Sequence, residues 1–217
     1  MMNPGELHVW HIELDTLPDD WLPPPHPADA ERAARFAHPD LRRRYLRSHG
    51  VMREILRREV GVETRIAPGQ NGKPWLPAAP SWKFNLSHSR GTALVAVARD
   101  VEVGVDVEWI RPQRDAQSIA ERFFPPSEAE AFLATPEPER ARDFFRRWTR
   151  LEAMWKALGV GLHGAGREIE GSWTVEELHL GEALAAAVAA PEAGLRVVLR
   201  GGALEPRPEG AARRSGT

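Results

Sequence analysis

Val101-Glu102-Val103-Gly104-Val105-Asp106-Val107-Glu108-Trp109 is the stretch on which the reading of this chain turns. Its valines recur at every second position, the period of a β-strand, so Val103, Val105 and Val107 share one face and Gly104, Asp106 and Glu108 the other. Two carboxylates then project from one side of one strand, about 7 Å apart along it. Gly104 would leave room for a ligand to approach the backbone. Hard oxygen donors at that separation suit Mg²⁺, which takes one or two protein carboxylates and completes its octahedron with water and substrate phosphates. An exposed strand face carries acids in the same pattern, so the motif draws its meaning from its companions.

Downstream, residues 116–124 read as a helix ended by Pro125-Pro126, and Ser127 with Glu130 has the form of a capping box. A longer helix is expected from Glu139 to Leu158, stopped by Gly159 and Gly161. On it Glu152 and Lys156 lie one turn apart, which brings a third carboxylate and an ammonium to the same face. The pair alone is also a common surface arrangement that contributes only about 0.2–0.5 kcal/mol. Strands follow at 173–180, 183–189 and 195–199, and residues 203–217 read as a frayed tail.

Upstream, Phe84 to Leu86 and Thr92 to Ala98 read as strands, and Gly69 to Pro80 as a loop rich in glycine and proline. Ala28 to Val60 has helical periodicity, with Phe36, Tyr45, Val51 or Met52, Ile55 and Leu56 able to share a face and Gly61 as the stop. Leu7 to Leu14 alternates as an N-terminal strand. The class is therefore α+β, with one half over 1–100, a second over 101–202 that carries the acids, and the tail. Each half has an arginine-bearing helix ended by glycine and then strands, a hint of duplication.

Composition narrows the function. The 217 residues are 42% hydrophobic and 28% charged, ordinary for globular protein, and the net charge of −2 gives no basic footprint for nucleic acid. With no cysteine, thiolate nucleophiles, disulfides and Cys-ligated zinc are excluded. The acidic, His-bearing N-terminus does not read as a signal peptide, and no stretch is apolar enough to span a membrane, so a cytoplasmic protein without membrane or nucleic-acid partners is expected.

A third constellation, Phe84-Asn85-Leu86-Ser87-His88-Ser89, follows Gly72-Lys73-Pro74-Trp75-Leu76. A hydroxyl, an imidazole and turn amides there can bind phosphate oxygens, with Lys73 as an added cation. A hydrolytic Ser87–His88 pair fits less well: neighbours on a strand point opposite ways and no G-x-S-x-G surrounds the serine.

Together the GKPxL loop, the FNxSHS segment, the GxDxE strand and the W-x3-E-x3-K-x2-G-x-G-L helix resemble, in order and spacing, the surfactin-synthetase-activating type of 4′-phosphopantetheinyl transferase. The resemblance runs from Phe36 to Leu162. It implies two pseudo-symmetric α+β halves with the active site in the cleft between them, in a monomer. It implies Mg²⁺ (Mn²⁺ as an alternative), coenzyme A as co-substrate, and an apo acyl or peptidyl carrier protein whose serine receives the phosphopantetheine arm. By position it assigns Asp106, Glu108 and Glu152 to the metal. Arg44, Lys73, Pro74, Ser87, His88 and Lys156 fall to coenzyme A, with Arg43 hard to distinguish from Arg44. Glu152, Lys156 and Glu108 carry the catalysis, Glu152 being the first candidate for general base. Leu151 stands where many members have lysine. The rival readings are a noncatalytic coenzyme A or carrier-binding module of the same fold and a Mg²⁺-dependent nucleotide phosphohydrolase.

Overall fold

Two long helices, α2 (Pro39–Val60) and α5 (Glu137–Leu158), are each 22 residues long. Each carries proline in its first turn, where the missing N–H costs nothing, and each is closed by a left-handed glycine, Gly61 (φ 78°) and Gly159 (φ 68°). This matched pair organises the computed structural model, which describes residues 2–18, 24–61, 65–161 and 171–201. Leu162 of the G-x-G-L motif and the tail expected over 203–217 lie outside the described residues.

The strands form two main sheets. β4 (Trp82–Ser89), β5 (Thr92–Arg99) and β1 (Glu6–Glu13) run antiparallel in that order, and β9 (Arg196–Arg200) adds parallel to β1. β6 (Gly104–Trp109), β8 (Leu184–Ala190) and β7 (Thr174–Glu177) make the second, antiparallel sheet. β9 thus belongs by sequence to the second half and by pairing to the first. Short strands β2 (Ala67–Pro68) and β3 (Pro74–Trp75) close the glycine- and proline-rich loop into a small ribbon.

Strand alternation explains the layering. One face of each sheet meets the other: Leu7, Val9, Leu94, Ala96 and Ala98 pack on Val103, Val105, Val107, Ala186 and Val188. The outer face of the first sheet carries Trp10, Ile12, Phe84, Val95 and Val97, covered by Val51, Met52, Ile55 and Leu56 of α2. Ala187 and Ala189 on the outer face of the second lie under Ala153 of α5. Alanines there permit a close approach, and Gly104 takes it furthest: a Cβ at that position would lie 2.0 Å from the Ala153 carbonyl oxygen and 2.4 Å from the Ala157 nitrogen. The space expected beside Gly104 for a ligand is filled by the backbone of α5 instead.

Two local expectations fail for clear reasons. The helix over 28–60 is two, α1 (Pro27–Ala33) and α2, because Pro39 pushes His38 to extended geometry (ψ 124°) and the chain must restart there. The capping box at Ser127 is not formed: α4 (Pro126–Leu133) begins one residue earlier, so Ser127 sits inside its first turn. α3 (Ala116–Phe123) and α4 with α5 bury a third cluster that includes Phe124, Phe132, Phe144 and Phe145, with Trp148 stacked on Phe144. Among the described residues no helix is long and apolar enough to cross a membrane.

Candidate active site

β4 and β6 are the strands at which the two sheets meet, and they join without a backbone ladder. Asn85, Ser87 and Ser89, on one face of β4 at period two, accept hydrogen bonds from the main-chain N–H groups of Val105, Val107 and Trp109, at 2.9, 3.3 and 3.1 Å. The offset of 20 residues is constant, so the strands run parallel along this seam. Each side-chain oxygen satisfies an edge N–H that would otherwise be buried without a partner.

The acids line this seam. Asp106 is buried, and its Oδ1 accepts from Ser87 Oγ at 2.8 Å and from Lys156 Nζ at 2.5 Å. Lys156 reaches Glu152 Oε2 at 3.6 Å and donates to Ser87 Oγ at 3.1 Å, so one ammonium bridges both carboxylates. Glu108 lies further along, held by Ser89 Oγ at 3.1 Å and by Arg111 at 3.2 Å. Burial, then the charge of Asp106, pushes the Glu152 carboxyl up to about 7 despite the opposing pull of Lys156.

Beside the seam opens a cleft of about 670 Å³. β4 supplies Asn85 to His88, the loop Gly72 and Pro74, α5 Lys156, and α1 and α2 the far wall with Arg32, Tyr45, His49 and Arg53. Asp29 fixes Arg53 through Nε at 2.8 Å, and the Tyr45 and His49 rings lie 4.0 Å apart between centroids. Surrounding atoms and the Lys156 charge lower the His88 pKa. The cleft therefore offers guanidinium and ammonium groups, a tyrosine ring and imidazoles, and Lys156 on its wall joins it to Asp106 and Glu152, an arrangement that suits a polyanionic nucleotide.

A family model and several named proteins match the chain. The family model of the 4′-phosphopantetheinyl transferase superfamily matches residues 102–189, the span of β6 through β8. The 4′-phosphopantetheinyl transferase HetI of Nostoc sp. is 39% identical over 178 residues, 72% of this chain and 70% of HetI. The chain belongs to the 4′-phosphopantetheinyl transferase superfamily. The 4′-phosphopantetheinyl transferases Sfp of Bacillus subtilis, 30% identical over 63% of this chain and 61% of its own length, and AcpT of Salmonella typhimurium, 40% identical over 49% and 56%, extend the likeness, though this chain spans less than two thirds of either. The family expected from the four motifs holds, as do the α+β class and the reading of the chain as an enzyme of this kind.

Not every residue singled out in the sequence reaches the phosphopantetheinyl transferase cleft. Pro74, Ser87, His88 and Lys156 line it. Arg44 turns to Asp15, with Nε at 3.0 Å and Nη2 at 2.5 Å, and Arg43 to Asp40 at 3.1 Å. Arg32 and Arg53 supply the guanidinium groups of the cleft wall. Leu151 packs on the aromatic cluster of α3 to α5, an apolar use of the position where the family resemblance led to an expectation of lysine.

Among the described residues no three acidic or imidazole groups form a ready-made metal cage. A Mg²⁺ site in a phosphate-transferring enzyme needs less, since water and phosphate oxygens supply most of the octahedron. Asp106 Oδ2 is buried without a hydrogen-bond partner, and burial, then the Asp106 charge, favours the neutral form of Glu152. Both observations fit a divalent cation, with Asp106 and Glu152 as its donors and Glu108 within reach of the same negative region.

Proposed function

We propose that the protein transfers the 4′-phosphopantetheine arm of coenzyme A to a serine of an apo acyl or peptidyl carrier protein, in a Mg²⁺-dependent reaction that releases adenosine 3′,5′-bisphosphate. The observation that carries this reading is the bridging of Asp106 and Glu152 by Lys156 at the end of a cationic cleft. A nucleotide in the cleft would place its phosphates toward Lys156, with His88 and Pro74 beside them and Arg32 and Arg53 at the far wall.

Mg²⁺, held by Asp106 and Glu152, would neutralise the pyrophosphate when bound. The carrier serine oxygen attacks the phosphorus that bears the pantetheine, and the bond from that phosphorus to the bridging oxygen breaks. Glu152 takes the serine proton, with Glu108 as the alternative acceptor. Lys156 donates hydrogen bonds to the departing bisphosphate. In this reading the enzyme works as a cytoplasmic monomer.

The decisive experiment incubates the protein with coenzyme A, Mg²⁺ and a panel of apo carrier proteins and weighs the intact carriers. A mass gain of one phosphopantetheine arm on the carrier serine is expected. Hydrolysis of nucleotides with no carrier modified would replace the proposal with the phosphohydrolase reading.

A further inference from the structure

Lys73 belongs to the GKPxL loop, and its resemblance-based role is to meet phosphate. Its surroundings point elsewhere. Its side chain is 14% exposed, and its ammonium contacts Glu102 Oε2 at 2.6 Å, the Ala157 carbonyl at 2.5 Å and the Val103 carbonyl at 3.3 Å. An ammonium has three N–H donors, and here three acceptors take them. Glu102 is itself held a second time, by Lys83 at 2.9 Å.

The acceptors come from separate parts of the fold. Ala157 supplies one of the last carbonyls of α5, an acceptor that lacks an intrahelical partner and sits at the negative end of the helix. Val103 and Glu102 precede β6 directly, and the loop that carries Lys73 also places Gly72 and Pro74 in the cleft wall. Ala157 adjoins Lys156 in the chain, and its nitrogen lies against Gly104. One part-buried cation therefore ties the cleft loop to the root of the acid-bearing strand and to the end of the helix that presents Glu152 and Lys156.

We infer that Lys73 is a positioning residue, which clamps the C-terminal turn of α5 to the start of β6 and so sets where Lys156 stands against Asp106, and that it is not a phosphate ligand. The inference rests on the proposed transfer reaction only for its kinetic consequence. Loss of the clamp loosens the last turn of α5, and the misplacement falls on the chemical step more than on coenzyme A binding.

The test uses the full chain with Lys73→Met and Glu102→Gln. For Lys73→Met, amide exchange at residues 155–158 accelerates by about tenfold or more, while kcat falls by about tenfold and the Kd of coenzyme A, measured without carrier, stays within about threefold. Glu102→Gln moves exchange and kcat the same way by less and leaves the Kd unchanged. A phosphate ligand behaves otherwise: Lys73→Met would weaken coenzyme A binding with exchange unaltered, and Glu102→Gln, by removing a competing anion, would tighten it. Either result overturns the inference. Should Lys73→Met fail to fold, Glu102→Gln decides, because Lys73 keeps both carbonyl acceptors in that variant. If the wild-type protein modifies no carrier, the transfer proposal falls, and the exchange and binding measurements still decide Lys73.

Discussion

Lys156 is held between two carboxylates, and its removal should be felt at both. Without that ammonium, Glu152 faces burial and the Asp106 charge with less compensation, so its carboxyl in metal-free Lys156→Met should titrate above the wild-type value of about 7, which carbon-detected NMR can follow. Transfer by the same variant should fall by about two to three orders of magnitude through lost stabilisation of the leaving bisphosphate. Asp106→Ala is expected to abolish carrier modification in a gel-shift assay with coenzyme A and Mg²⁺; near-normal activity would remove Asp106 from the metal site. Strand and helix periods put these residues on common faces, Asp106 and Glu108 at two and Glu152 and Lys156 at four, but only the ordered motifs beside them singled them out from an exposed strand face and a surface helix pair. The cleft wall was not legible. Arg53, Asp29 and Arg32 lie among many arginines and acids whose spacing equally describes a solvated helix face, and only tertiary packing separates the arginine turned to the cleft from Arg44 turned to Asp15. Asn85 and Ser89 did carry a signal, since Asn85, Ser87 and Ser89 alternate, but polar alternation on a strand ordinarily means solvent and here means a neighbouring strand.

At the level of elements, the contact of α5 with β6 tolerates no added atom. Gly104→Ala would force the helix off the strand, a cost of about 1–3 kcal/mol or more by the usual penalty for overpacking, readable as a lower urea midpoint with unchanged slope. Helix α2 offers a pH-dependent counterpart. Glu54 is buried, and hydrogen bonds from Arg57 with those from Arg58 hold its carboxyl down at about 2 against an ordinary 4.5. The unfolded chain binds this proton first as pH falls, so the stabilisation is complete above 4.5 and is lost as pH falls through 4.5 toward 2. After allowance for solvent screening of the partly exposed arginines it is on the order of 2 kcal/mol. Glu54→Gln should therefore flatten the acid limb of a stability–pH curve over that window and leave its shape near neutrality unchanged. Both helix ends at Gly61 and Gly159 could be read from sequence, because a left-handed stop needs glycine. The break near residue 38 was also written there, in the His38-Pro39 pair, but the apolar periodicity that spans it concealed the restart.

For the whole molecule, the strands and their alternation follow from local pattern, whereas their partners do not. That β9 should cross to the first sheet and lie parallel to β1 depends on which edge is free and on where Val197 can be buried, facts that no period in residues 196–200 records. Deletion of residues 196–217 should uncover the edge of β1 and the Leu7 side of the shared core, and lower the denaturation midpoint of the whole protein rather than of its second half alone. Loss of cooperativity confined to residues 104–190 would contradict this.

The seam between β4 and β6 has one more consequence. A bare strand edge accepts any other bare edge, which is how sheets of different molecules fuse into aggregates. Here the N–H groups of Val105, Val107 and Trp109 are answered by an asparagine and two serines spaced to match them. A strand from another chain finds these three donors already engaged and would have to displace β4 to reach them. At these three positions Asn85, Ser87 and Ser89 thus cover the edge of β6 from within the same molecule, with side chains in place of a backbone ladder.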